Sequence, residues 1–127
     1  MRTNQINHRT RQGAINHAAG QAAEDQVEAL YHRHDMELVA RRWKNPCGEL
    51  DLVHIHGDQL IFTEVKRSKT HARAIQALSA RQQQRLMNAA CAFLAATDRS
   101  MDTDMQFNVA TCDGQGQIHI LENAIAA

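Results

Sequence analysis

Gly57-Asp58 lies between two runs rich in β-forming residues, Glu49 to His56 and Gln59 to Arg67. Glycine supplies the positive φ of a tight turn, so this stretch predicts a β-hairpin. With Gly57 and Asp58 at the turn, His56 faces Gln59, Val53 faces Phe62, Asp51 faces Glu64 and Glu49 faces Lys66. Alternation along each strand then puts Glu49, Asp51, Glu64 and Lys66 on one face, beside Leu60 and Phe62, with Leu50 and Leu52 on the other. Opposed carboxylates repel and destabilise a sheet. A divalent cation offsets that repulsion, and carboxylate oxygens suit Mg²⁺ or Mn²⁺. The plainer alternative is a solvated hairpin end with an ion pair between Glu49 and Lys66, which contributes little to stability.

The rest of the chain frames this hairpin. Ala19, Ala23, Val27, Leu30 and Tyr31 recur at helical spacing and predict a helix from about Ala14 to His34, with Glu24 next to the apolar stripe. Glu37 to Lys44 reads as a strand closed by an Asn45-Pro46 turn. Residues 68–77 read as a polar, basic loop, and Ala80 to Ala96 as a helix with its stripe at Leu86, Ala89, Ala90, Phe93 and Leu94. Gln106 to Cys112 and Gln117 to Leu121 predict two more strands around an Asp113–Gly116 turn. Helix, three strands, helix and strands make an α/β class domain with a mixed sheet flanked by helices. Residues 1–12 read as a mobile basic tail and 13–127 as one domain, a size at which single domains are common.

Net charge is zero, yet residues 1–85 carry 13 of the 14 Lys and Arg against 9 of the 14 Asp and Glu. That basic first part suits a phosphate backbone. The polar first dozen residues hold no signal core, and no run approaches the roughly 18 apolar residues of a spanning helix, so the expected compartment is the cytoplasm with no membrane partner. Cys47, Cys91 and Cys112 are odd in number and far apart, which predicts reduced, unpaired thiols.

Gly48-Glu49-Leu50-Asp51-Leu52-Val53, then Gly57-Asp58, then Phe62-Thr63-Glu64-Val65-Lys66-Arg67, resembles the YraN-like family of bacterial proteins. Leu38 to Lys44, Arg81-Gln82 with the second helical stripe, and His119 with Asn123-Ala124 extend the similarity over roughly Gly20 to Ile125. The family is similar to the restriction-endonuclease-like, PD-(D/E)xK superfamily, which includes archaeal Holliday-junction resolvases. The resemblance implies an αβββαβ core and a divalent-metal nuclease site. By position, Asp51 and Glu64 would bind Mg²⁺ or Mn²⁺, Lys66 would sit beside the attacking water, and Glu24 would be an additional acidic member. DNA, branched or structured, would be the substrate. Asn108 departs from an Asp common in the family's fourth strand.

Other residues admit two readings. Gln82 falls on the inward stripe of its helix and could reach the site, but Ser79-Ala80-Arg81-Gln82 equally fits a capping box. Arg67, Lys69 and Arg73 could grip phosphates or simply solvate a loop. His54 and His56 alternate on one strand, where exposure near the hairpin tip is expected rather than chelation; His32 and His34 do not share a helical face. Trp43 is expected in the core or at its rim rather than as a stacking platform. For the whole chain, a metal-dependent endonuclease is the first reading. A non-catalytic nucleic-acid- or partner-binding module is the second, and a structural carboxylate cluster in a homodimer the third.

Overall fold

The computed structural model describes residues 20–76 and 79–125, with the backbone alone for 74–76. The basic tail at 1–12 and the first turns of the expected helix, through Ala19, lie outside the described residues. Helix α1 runs through 20–33, followed by strands β1 (Glu37–Asn45), β2 (Gly48–His56) and β3 (Gln59–Arg67). A short helix α2 (His71–Gln76) leads to the long α3 (Ala80–Ala96), then β4 (Met105–Cys112) and β5 (Ile118–Leu121). The five strands form one sheet in the order β1-β2-β3-β4-β5, antiparallel except for the parallel β3–β4 pair, which α3 bridges. The expected α/β class and mixed sheet are therefore observed.

Helices cover both faces. Leu86, Ala89, Ala90, Phe93 and Leu94 of α3 pack with Val53, Leu60, Phe62, Phe107 and Val109. Val27 and Tyr31 of α1 pack with Leu52, Ile61 and Ala110. The period-2 alternation of β3 and β4 sorts these residues cleanly between the two cores. The α1 side also holds a polar network: Tyr31 Oη meets Thr63 Oγ1 at 2.9 Å and accepts from Asn108 Nδ2 at 3.0 Å, while Asn108 Oδ1 accepts from Gln106 and from the Asn123 backbone. Asn108 thus joins α1, β3 and the C-terminal segment.

The region 68–77 differs from the expected loop. His71–Gln76 is helical, with Thr70 Oγ1 accepting the Arg73 N–H at its start. His71 anchors the segment, bonding Thr111 Oγ1 through Nδ1 and lying 3.6 Å from Asp113 through Nε2. A polar composition hid a segment held by tertiary contacts.

Strand alternation is broken on β1 by a register shift between Leu38 and Ala40, and a second time further along, where it fails on two strands together. Leu50 packs on the α3 side although Leu52, of the same parity, packs on the α1 side, against the expectation that both share one face. On β1, Arg41 reaches α1 while Trp43 packs edge-on to Phe93 of α3 at 5.2 Å. Between them Arg42 has φ +54°, a left-handed conformation uncommon for a residue other than glycine. The pairs Arg41↔Leu52 and Trp43↔Leu50 place Arg42 across from Asp51, at the centre of the irregularity.

Candidate functional site

The β2–β3 register agrees with the expected hairpin from His56↔Gln59 through Val53↔Phe62 to Leu52↔Thr63. Gly57, at φ +62°, makes the turn. Beyond Leu52 the backbone pairing stops, so Asp51 and Glu64 are not a ladder pair. Instead an Asp51 carboxylate oxygen accepts the Val65 backbone N–H at 2.8 Å. A side chain replaces the missing backbone acceptor, and the strands part around it.

The parting opens a cleft of about 370 Å³ under the start of α3, lined by Gly48, Glu49, Asp51, Glu64, Ser79, Arg81, Gln82, Arg85 and Leu86. Asp51 and Glu64 are in hydrogen-bond contact. Burial and, after it, the Asp51 charge push the Glu64 carboxyl up to about 8 against the opposing pull of Lys66. Burial also raises Asp51, opposed by the Val65 N–H. Two touching, desolvated carboxyl groups disfavour carrying both charges at once.

Lys66 Nζ lies 3.2 Å from Glu64, so the Glu49–Lys66 pair of the plainer reading gives way to a contact between two same-face residues of β3 itself. Gln82 resolves its two readings by serving both. Ser79 Oγ accepts the Gln82 backbone N–H at 3.1 Å, capping α3, while the Gln82 side chain donates to Glu64 at 3.3 Å. The reciprocal half of a capping box is therefore spent on the cleft.

Glu24 sits outside the cleft lining, 7% exposed. Its Oε2 accepts from Arg41 Nε at 3.1 Å and from Arg42 Nε at 2.8 Å. Its charge nonetheless reaches Asp51. Arg67 and Lys69 are exposed and line a different depression, beside Asp113 and the α1 residues Ala22 and Gln26; Arg73 is exposed on α2. The arginines that do line the carboxylate cleft are Arg81 and Arg85, which form no side-chain hydrogen bond or ion pair among the described residues. Their i, i+4 spacing, one position before Gln82 and Leu86, was the available signal: it runs a basic row along the edge of an apolar stripe.

His54 is fully buried, against the expected exposure, while His56 is exposed. The His54 ring packs edge-on to Tyr31 at 4.7 Å, and burial pulls its pKa down to about 4. Trp43 is a half-buried rim residue, and all three cysteines are free.

Could these residues hold a divalent cation? Among the described residues no three or more His, Cys, Asp or Glu converge as a closed metal cage. Asp51 and Glu64 nonetheless fit Mg²⁺ or Mn²⁺, which bind through one or two carboxylates and complete their shells with water and substrate phosphate. The repulsion between the pair is what a cation there would relieve. No helix among the described residues is long and apolar enough to cross a membrane.

The family model described as Uncharacterised protein family UPF0102 matches residues 23–112. A UPF0102 protein of Ruegeria pomeroyi is 48% identical over 88% of this chain and 91% of its own length. One from Cereibacter sphaeroides is 46% identical over 91% of this chain and 98% of its own. A third, from Roseobacter denitrificans, is 37% identical over 96% and 95%.

Proposed function

Starting from a chain that belongs to protein family UPF0102, we propose that the protein hydrolyses phosphodiester bonds in nucleic acid with Mg²⁺ or Mn²⁺ at Asp51 and Glu64. The observation that carries this reading is the division of the cleft: touching carboxyl groups on the β2–β3 side, and two guanidinium groups without side-chain partners on the α3 side. Such a cleft offers a cation site and an anion site facing one another, which is what a phosphodiester needs. The similarity to restriction-endonuclease-like nucleases makes DNA, branched or structured, the substrate to try first.

Each residue has a role in this reading. Asp51 is held by the Val65 N–H and Glu64 by Gln82, so neither carboxyl must be reoriented when substrate arrives. Asp51 and Glu64 would hold the cation through their carboxylate oxygens. The cation supplies Lewis-acid polarisation of the phosphoryl group and acidifies water. Lys66, anchored on Glu64, orients the attacking water or neutralises developing charge. Arg81 and Arg85 grip phosphate from the far wall, as forked donors do. Arg67, Lys69 and Arg73 extend the basic surface along flanking backbone. A second reading, a binding module without catalysis, draws support from the absence of a third converging carboxylate among the described residues.

The test is cleavage of duplex, single-stranded and four-way-junction DNA with Mn²⁺ or Mg²⁺, comparing wild type with Asp51→Asn, Glu64→Gln and Lys66→Ala. The expected result is cation-dependent cutting that each substitution lowers by about 100-fold or more. Wild-type protein that binds these substrates but cuts none would overturn the catalytic reading in favour of the binding module.

A further inference from the structure

We propose that Arg42 is a nucleic-acid phosphate contact, and that Glu24 serves as its positioning residue rather than as a cation ligand. The inference rests on the reading of the neighbouring cleft as a nucleic-acid site.

The backbone makes the first argument. Arg42 adopts φ +54° in the middle of β1, flanked by regular pairs to Leu52 and Leu50. A non-glycine residue in that region is strained, and such strain persists where the surroundings over-determine it. Its effect here is specific. Consecutive strand residues ordinarily point to opposite faces. The left-handed residue cancels that alternation, so Arg41 and Arg42 both reach the same Glu24 oxygen.

The two arginines are not equivalent. Arg41 is fully engaged, bonding Glu24 through Nε, Asp25 and Glu28 through Nη1, and the Gln21 carbonyl through Nη2. That is enough to hold Glu24 in place. Arg42 uses only Nε, at 2.8 and 3.2 Å from the two Glu24 oxygens. Its terminal nitrogens have no partner among the described residues, and its side chain is 29% exposed. A guanidinium clamped at Nε and open at its terminal nitrogens is pre-organised to donate to a phosphate. Its guanidinium lies with Glu24, outside the cleft lining but close to it: the Arg42 backbone is across from Asp51, and the charge of Glu49, in the cleft lining, reaches it. Glu24 has its charge matched by two guanidinium groups, with Oε2 accepting from both arginines and Oε1 from Arg42, which disfavours a cation there.

The experiment is fluorescence anisotropy with labelled duplex and four-way-junction DNA in EDTA, over a salt series, with calorimetric Mn²⁺ titration alongside. Arg42→Asn suits the left-handed backbone and removes the charge; Arg42→Lys keeps the charge and the strain but loses the fork. Thermal unfolding checks that each variant is folded. Expected are binding about tenfold weaker in Arg42→Asn with a salt slope lower by about one phosphate, and an intermediate loss in Arg42→Lys. Glu24→Gln, which keeps an acceptor for Arg42 Nε, should bind DNA within about twofold of wild type, whereas Glu24→Ala should resemble Arg42→Asn. Mn²⁺ affinity should be unchanged in Glu24→Gln. Folded Arg42→Asn with wild-type affinity and slope would overturn the contact, as would wild-type protein that binds neither DNA. Loss of Mn²⁺ binding in Glu24→Gln would overturn the positioning role. Arg42-dependent binding in a protein that cuts nothing would leave this inference standing and remove the nuclease; cutting that ignores Arg42 would do the reverse.

Discussion

The side-chain amide of Gln82 donates to Glu64 at 3.3 Å, linking the first turn of α3 to the carboxylate edge of β3. The same residue gives its backbone N–H to Ser79. One position therefore fixes both the start of a helix and the orientation of an acid, and the two tasks can be separated because only one uses the side chain.

Gln82→Ala should leave the cap and the global stability nearly unchanged while loosening Glu64. In a cation-dependent cleavage assay the expected loss is about tenfold, the scale of one neutral hydrogen bond. Ser79→Ala should do the opposite, costing about 1 kcal/mol in urea unfolding with little direct effect on chemistry. Equal behaviour of the two variants in both assays would refute the division of labour.

Stability without metal should fall as pH rises from about 4.5 to about 8. The Glu64 carboxyl titrates near 4.5 when unfolded and near 8 when folded, so in this window the native state binds the extra proton and deprotonation favours unfolding. Asp51, also raised, acts in the same direction. Thermal unfolding in EDTA would show the slope, which Glu64→Gln should flatten and saturating Mn²⁺ should reverse. A melting temperature independent of pH across the window would contradict the raised Glu64 carboxyl.

His54 acts with the opposite sign. Its folded pKa, near 4, is below the ordinary 6.5, so the unfolded chain binds the extra proton and stability should be lost as pH falls through that interval. Both ring nitrogens are buried without a hydrogen-bond partner among the described residues. His54→Leu should therefore stabilise the protein by about 1 kcal/mol at neutral pH and remove part of its acid sensitivity, as read by urea unfolding at pH 7 and pH 4.5. A destabilised variant would mean that the ring has a polar partner in solution.

Asn108 should be costly to remove. Asn108→Ala strips Tyr31 of a donor and leaves the Gln106 amide and the Asn123 N–H without their acceptor, all at a site 1% exposed. The expected loss is about 2–3 kcal/mol, against about 1 kcal/mol for Tyr31→Phe. Similar, small losses in both would argue that the network contributes shape more than hydrogen bonding.

What the sequence made legible was whatever depends on period and turn chemistry. The Gly57-Asp58 turn set the upper register of the hairpin, and the α3 stripe from Leu86 to Leu94 appeared as expected. The lower hairpin was harder to read, because Leu50 and Leu52 share a parity that holds only while the strand stays regular. Nothing in the one-dimensional pattern around Arg42 announces a left-handed residue. His54 was misplaced for a related reason: polarity suggested the surface, but α1 lays Tyr31 over it. The carboxylates were found and the cleft arginines were not, since Arg81 and Arg85 gain meaning only once α3 is docked on β2.

The parallel pairing of β3 with β4 has a kinetic consequence. Leu60 meets Met105 across 45 positions of chain, whereas β1, β2 and β3 meet through short turns. Loop-closure entropy delays the long-range contact, so the meander that carries Asp51 and Glu64 can assemble before α3 is pinned by its two flanking strands. The acidic half of the cleft is then an early, local product of folding and the basic half a late one. A nascent chain would acquire the means to attract a cation before the means to hold a phosphate.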